Sequence, residues 1–332
     1  MQDNKDLKEK NVINKAKGLN LFGQFLLLTS TIVWGSSFII LKDAISGLPA
    51  MYVIGIRFLS SSLLLGLIFF GKVRKLNVKV LRHGLVLGLV LAAAYLTQTY
   101  GLKFISAGKN AFITSLYCVL CPFMLWFIFG AKPRAYNIIS AVLCMVGIGL
   151  VALSGKSESD DNLFLGSVLT GTCAIFYALQ IIFTGKFHEQ KDDVIQLLTV
   201  ELFVVGVLLS AVSLIFELPK YGIGAYALNG ENVWQIIYLT LVCTLYAQLA
   251  QLVGLKYTGA NQASIILTLE AVFGVIFAII LGDEKITPIL FAGFAVIFIG
   301  TLISELGADF GKIVRSKGKK GKEESANGEK SD

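Results

Sequence analysis

The chain has 332 residues, 55% of them hydrophobic and only 15% charged, with a formal net charge of +7. An average soluble domain is about 25% charged, and here the apolar residues fall in long uncharged blocks that raise the mean hydropathy to +0.73, which excludes an ordinary cytosolic enzyme. Length alone suggests about two domains, but the blocks are built to bury against a bilayer, so the expected class is an all-α integral membrane protein.

In chain order, residues 1–19 form a basic tail with Lys5, Lys8, Lys10, Lys15 and Lys17. The apolar block that follows is too long for a signal-peptide core and has no small-residue cleavage site, so it is expected to remain as the first helix. A spanning helix needs about 20 apolar residues to cross about 30 Å of hydrocarbon. Ten segments qualify: 20–41, 49–71, 84–102, 110–131, 135–155, 163–185, 194–216, 232–255, 257–282 and 286–304. Inside them lie three formal charges, Arg57, Glu201 and Glu270. Residues 307–332 are polar, glycine-rich and basic, and composition predicts a disordered tail that serves topology and solubility or lies against anionic headgroups.

Lysine and arginine counts set the orientation. With the N-terminus in the cytoplasm, 22 of the 29 basic residues fall inside, six fall outside (Lys42, Lys103, Lys109, Lys156, Lys220 and Lys285) and Arg57 stays in the membrane. Both termini are therefore expected on the cytoplasmic side of a cell (inner or plasma) membrane. The positive charge is a topology signal, and no nucleic-acid partner is implied.

The five cysteines, Cys118, Cys121, Cys144, Cys173 and Cys243, all lie within apolar blocks and are expected as free thiols. His83 and His188 sit among loop charges without metal-ligand spacing, so neither a metal nor a cofactor is expected.

An internal repeat organises the chain. At an offset of 153 residues Leu96 pairs with Leu249, Gln98 with Gln251, Gly101 with Gly254, Leu102 with Leu255, Lys103 with Lys256 and Phe104 with Tyr257. The repeated Q-x-x-G-L-K-[FY] ends the third helix of each half. Five helices per half is an odd number, so the second copy enters the membrane from the opposite side and the repeat is inverted. The expected units are residues 20–155, a linker at 156–162, and residues 163–306.

The stretch QTYGLKFISAGKNAFITSLYCVLCPFMLWFIFG (98–130) resembles helices three and four of EamA-type transporters of the drug/metabolite transporter superfamily, and WGSSFIILK (34–42) resembles their first helix. The second half agrees through AQLAQLVGLKYTGANQASIILTLEAVFGVIFAIILGDEKIT (247–287). Two departures stand out: Ala271 replaces the proline usual after the family's glutamate, and Gly130-Ala131-Lys132 replaces a glycine-glutamate ending in the first half. The resemblance implies two inverted five-helix repeats around a central cavity and transport, often outward, of small metabolites or drugs.

Polar side chains in lipid face the bundle interior, so a cavity should be marked by polar stripes at helical spacing. They occur at Ser30, Trp34 and Ser37; at Tyr95, Gln98 and Thr99; at Asn110, Thr114, Tyr117 and Cys121; at Cys173, Tyr177, Gln180 and Thr184; and at Thr240, Thr244, Gln248 and Gln251. Rich in amides and aromatics, they favour a neutral or zwitterionic solute, with Trp34, Tyr95, Tyr117 and Tyr177 offering stacking or cation-π surface. For any one residue the alternative is an interhelical hydrogen bond. Gly84 and Gly88 read as close helix packing.

The charges carry competing readings. Arg57 serves in a structural ion pair, for which Glu201 is the candidate partner, or in a bond to helix-end carbonyls, or binds a substrate carboxylate. Glu270, at the family's glutamate position, is expected either to carry a proton in each cycle, since burial disfavours its charged form, or to make one structural hydrogen bond. The leading function is a secondary transporter, an exporter, with proton coupling through Glu270 as one of the two readings of that residue. No P-loop is present for direct ATP drive. A passive uniporter or channel of the same fold is the second reading. A membrane enzyme is disfavoured because no ionisable residues cluster at one depth.

Overall fold

The computed structural model describes residues 2–130, 132–153, 162–190, 192–258, 260–281 and 285–303. Among these, seven helices are long and apolar enough to cross a membrane and three shorter apolar helices accompany them. In chain order they are α1 (Gln2–Gly47, apolar over Gly18–Gly47), α2 (Ala50–Ile68), α3 (Val78–Phe104), α4 (Ala107–Phe129), α5 (Ala135–Leu153), α6 (Leu163–Glu189), α7 (Val194–Tyr221), α8 (Gly230–Leu255), α9 (Ala260–Ile280) and α10 (Pro288–Ile303).

Several helices start earlier than hydropathy alone places them, because the caps decide. Asn77 accepts from Val80 N–H ahead of α3, and Asn229 accepts from Asn232 N–H ahead of α8. Each satisfies one of the orphan donors of a helix N-terminus. Ser106 does the same for α4, drawing Lys109, read as loop from sequence, into a buried first turn. Gly130, with φ +73°, closes α4 in the left-handed conformation that glycine adopts without strain.

Lipid gives helices no hydrophobic reason to associate, so close backbone approach has to supply the contact. The glycine contacts do this in symmetric pairs. At the start of α1, Gly23 lies against the Gly254 carbonyl and Tyr257 of α8, and Gly254 against Leu27. At the opposite end of the bundle, Gly166 of α6 lies against the Gly101 carbonyl and Phe104 of α3, and Gly101 against Thr170. These are the same contact in the two halves, with Gly101 and Phe104 standing for Gly254 and Tyr257, the pairs that the 153-residue offset matches. The α2–α7 contact is its own counterpart: Gly55 meets Ser210 and Gly206 meets Leu59. So is α5–α10, where Gly147 meets Ile297 and Gly293 meets Val151. Gly84 and Gly88 of α3 receive Val200 and Val204 of α7. The chain is thus two inverted five-helix repeats.

The two faces of the bundle differ in their ties. Where α1 begins, Asp192 in the α6–α7 connection takes Lys79 at 3.0 Å and His83 at 2.5 Å, and His83 stacks on Phe187. Burial pushes the Asp192 carboxyl up, but the hydrogen bonds from His83 and Lys79 outweigh it and hold the group below its usual value. At the opposite face Glu217, buried at the end of α7, caps α2: its two oxygens accept from Met51 N–H at 3.2 and 3.0 Å and from Ser213 Oγ and Tyr100 OH at 2.8 and 3.4 Å.

Two helices are irregular where they face the centre. In α4 the residues around Ser115 and Leu116 tighten into i to i+3 bonds, Cys118 N–H to the Ser115 carbonyl and Val119 N–H to that of Leu116, with Pro122 further along. The middle of α8, Tyr238–Tyr246, is wound as a π-helix. The wider winding leaves carbonyls free for neighbours: Cys243 O accepts from Trp34 Nε1 at 2.9 Å and Thr240 O from Ser61 Oγ at 3.1 Å.

Candidate transport cavity

The irregular stretches and the glycine crossings leave space between the repeats. A deep cavity of about 140 Å3 is lined by Trp34, Ser37, Tyr95, Gln98, Thr114, Tyr117, Tyr177, Gln180, Gln248 and Gln251, by Arg57, Glu201 and Glu270, and by apolar residues including Phe38, Leu41 and Leu102. Through Trp34, Tyr117, Gln180, Glu201, Gln248 and Gln251 it is continuous with a wider one of about 690 Å3, whose walls reach Leu87, Gly185, Val194 and Leu255 near the face where α1 begins. The volume of the wider cavity falls in the range, about 300–1,000 Å3, of small-molecule sites.

The walls obey the inverted repeat. The offset of 153 that pairs α3 with α8 pairs Gln98 with Gln251 and Tyr95 with Gln248; in α4 and α9 it pairs Tyr117 with Glu270. The crossing that equates Gly23 with Gly166 equates Trp34 with Tyr177 and Ser37 with Gln180. Equivalent positions therefore face one central space.

Within it a chain of polar groups is already formed. Gln98 donates through Nε2 to Thr114 Oγ1 at 3.1 Å and accepts from Tyr177 OH at 3.1 Å. Tyr177 meets Tyr95 edge-on with centroids 5.8 Å apart and lies 6.2 Å from Tyr117. Gln180 Nε2 donates to Glu201 at 2.8 Å. Gln248 and Gln251 line both cavities, and among the described residues neither amide has a partner. Glu270 likewise receives no hydrogen bond from a described residue. Arg57, 2% exposed, donates through Nε to Thr244 Oγ1 and lies 5.3 and 5.7 Å over the Phe58 and Tyr95 rings.

Among the stripe residues read from sequence, Ser30, Thr99, Asn110, Cys173, Thr240 and Thr244 line neither cavity. Ser30 is fully buried and donates to the Ala247 carbonyl at 3.1 Å, knitting α1 to α8. Asn110 donates to Thr170 Oγ1 at 2.8 Å and to the Gln98 carbonyl at 3.3 Å, joining α4 to α6 and α3. Thr244 turns its hydroxyl to the Leu239 carbonyl and to Arg57. The expected Arg57–Glu201 pair does not form; the glycine contacts set α2 and α7 in a register of 151, which places Leu208 as Arg57's counterpart. The five cysteines are free, and Cys118 and Cys121 line the wider cavity. Sequence reading missed the apolar floor, Phe38, Leu41 and Leu102, because nothing in an apolar helix marks which leucine faces a void.

Comparison with known proteins agrees with this geometry. The model of the EamA-like transporter family matches residues 21–153 and 164–306, one match in each half. An uncharacterised transporter of Archaeoglobus fulgidus is 25% identical over 286 residues, covering 86% of each chain. A protein of Escherichia coli named "probable amino-acid metabolite efflux pump" is 25% identical over 297 residues, covering 87% of this chain and 97% of its own. A solved crystal structure superposes with a TM-score of 0.59 at 15% identity, covering 86% of this chain and 98% of the other, and so shares the fold.

Proposed function

This chain belongs to the EamA-like transporter family, and from that premise we propose that it is a secondary active transporter that exports a small neutral or zwitterionic metabolite or drug by alternating access. It is a multi-pass membrane protein. In the proposed orientation both termini are cytoplasmic, in a cell (inner or plasma) membrane, with repeat units at 20–155 and 163–306 joined by 156–162.

One observation carries the proposal: the cavity is walled by equivalent positions of two inverted repeats and is continuous with the wider cavity that reaches toward the face where α1 begins. Two copies in opposite orientations can exchange conformations, and the exchange moves the opening from one face to the other. The wall chemistry sets the solute class. Free amides at Gln248 and Gln251 suit a polar neutral group, and the four aromatic side chains suit an apolar or cationic body. The E. coli relative's name, an amino-acid metabolite pump, lies within that class.

Glu270 is the coupling residue in this reading. It is a carboxyl group in the cavity wall with no donor among the described residues, where a proton and a solute compete for one space. A ligand shifts a two-state equilibrium only by its differential affinity, and protonation of Glu270 in one state supplies that difference. The test is Glu270→Gln in liposomes under an imposed pH gradient. Coupling requires that uphill accumulation be lost while solute–solute exchange survives. A variant that still concentrates solute rules Glu270 out, and a wild-type protein that only equilibrates its solute is a facilitator. Alanine in turn at Trp34, Gln98, Tyr117, Gln180, Gln248 and Gln251 should alter apparent affinity or preference at near-normal protein levels; no change at any of the six would place the path elsewhere.

A further inference from the structure

We infer that Arg57 is the anchor for a carboxylate of the transported solute, so that the site takes molecules with an acidic head rather than their neutral amides. The inference rests on the transporter reading and deepens it.

A guanidinium carries five N–H donors in a rigid fork. In Arg57 one of them, at Nε, is spent on Thr244. Among the described residues the other four find no acceptor, and they are not sealed off, because Arg57 stands in the wall of the deep cavity. Residue and charge are otherwise deeply buried, at 2% exposure beside the paired rings of Phe58 and Tyr95. Buried charges are normally paired, since an uncompensated one is costly. The two carboxylates of the same cavity do not pair with it: Glu201 is taken by Gln180, and no ion pair joins Arg57 to Glu270. The counter-ion is missing from the protein at the point where the protein is open to a solute.

A carboxylate fits what is left over. Its two oxygens match the parallel N–H groups of the fork in a bidentate pair. A phosphate would bring a second negative charge toward Glu201 and Glu270 in the same walls. The charges also break the symmetry of the cavity. Arg57 has Leu208 as its counterpart and Glu270 has Tyr117, so a near-symmetric space has one basic and one acidic location, and a solute with an acidic head binds one way round.

The experiment uses the purified full chain, with each of the common L-amino acids set beside its carboxamide and its decarboxylated amine. Binding is read as competition in detergent and flux in liposomes. One charge-assisted bidentate contact predicts that an acid binds about tenfold to a hundredfold more tightly than its amide, and that Arg57→Gln brings the two to equal affinity. Acid and amide binding alike to the wild type, no acid binding, or an undiminished preference in Arg57→Gln would each overturn the anchor. Should Arg57→Gln fail to fold, Arg57→Lys decides: a merely structural cation leaves the acid-to-amide ratio unchanged, whereas loss of the fork collapses it. Flux of amides and amines without acid preference sinks the anchor alone. Absence of flux for every probe counts against the transporter reading.

Discussion

Removing the Glu217 carboxylate is the sharpest test of how the bundle is held at the face away from the start of α1. Glu217 leaves no donor idle: Met51 N–H at the first turn of α2, Ser213 Oγ and Tyr100 OH all converge on its two oxygens. At 2% exposure, water cannot replace it. Loss of a helix N-cap costs about 0.5–2 kcal/mol, and stranding further buried donors adds about 1–3 kcal/mol. Ser213 keeps a second partner in Tyr226 and offsets part of that. Glu217→Ala should therefore destabilise by about 2–4 kcal/mol, and Glu217→Gln, which still offers one acceptor to Met51, by less. Thermal unfolding of the purified protein in detergent should show a fall of about 4–8 °C for alanine, at roughly 2 °C per kcal/mol for a chain of this size. If alanine costs no more than a lipid-facing substitution such as Phe127→Ala, at a residue 88% exposed, then the cap is not holding α2 to α7.

Gly166→Leu should destabilise by about 1–3 kcal/mol through overpacking, because a Cβ there stands 3.1 Å from Phe104 Cβ and 3.2 Å from the Gly101 carbonyl, whereas Gly171→Leu, with nothing within 4 Å, should be neutral by the same unfolding assay. Single cysteines at Lys75 and Asn229 should react with an impermeant thiol reagent from opposite sides of the membrane, and labelling from one side refutes the inverted topology. Asp192→Asn should cost about 1 kcal/mol at neutral pH, since Lys79 is half-exposed and screened. The wild-type advantage depends on pH with a fixed sign: Asp192 is held below its ordinary value, so its contribution is full above the unfolded value of about 3.9 and fades as pH falls through the lower folded one. An advantage that instead grew below pH 4 would show that Asp192 is not stabilised as a carboxylate.

The helices were legible because hydrocarbon thickness imposes a length that composition alone reveals, and the repeat because the Gly101 and Gly254 motifs mark equivalent crossings. Much of the cavity was legible too, since amides and tyrosines in lipid have few places to go. What failed was resolution within a stripe. Ser30 lies one turn from Trp34 and Asn110 one turn from Thr114, on the same polar faces, yet the crossings bring a neighbouring helix against each, the Ala247 carbonyl for Ser30 and the Thr170 hydroxyl for Asn110, and turn it into an interhelical bond. Glu217 escaped because hydropathy ended the seventh helix at residue 216 and gave no sign of which helix begins opposite. Arg57 and Glu201 were matched because helices two and seven correspond, but correspondence of helices does not fix register; Gly55 and Gly206 do that.

The two faces of the bundle also constrain the order of events in the proposed cycle. Below Leu41 and Leu102, the cavity floor, Lys42 Nζ of α1 donates to the Ile105 carbonyl at 2.8 Å and Gln235 of α8 donates to Asp43. The repeat equates Lys42 with Gly185, and Gly185 lines the open side. A lysine strap at one face thus answers to a glycine at the other, and the two openings are not held shut by the same chemistry. Exchange of conformations between repeats can conserve the glycine crossings, which are alike in both halves, but opening the strapped face has to break the Lys42 and Gln235 bonds with no equivalent bond gained opposite them. In the proposed cycle that difference would bias the empty protein toward this state, and the bound solute would have to favour the other state by more than the bias before it could leave. In the proposed orientation, with the start of α1 on the cytoplasmic side, an exporter so biased would wait open to the cytoplasm.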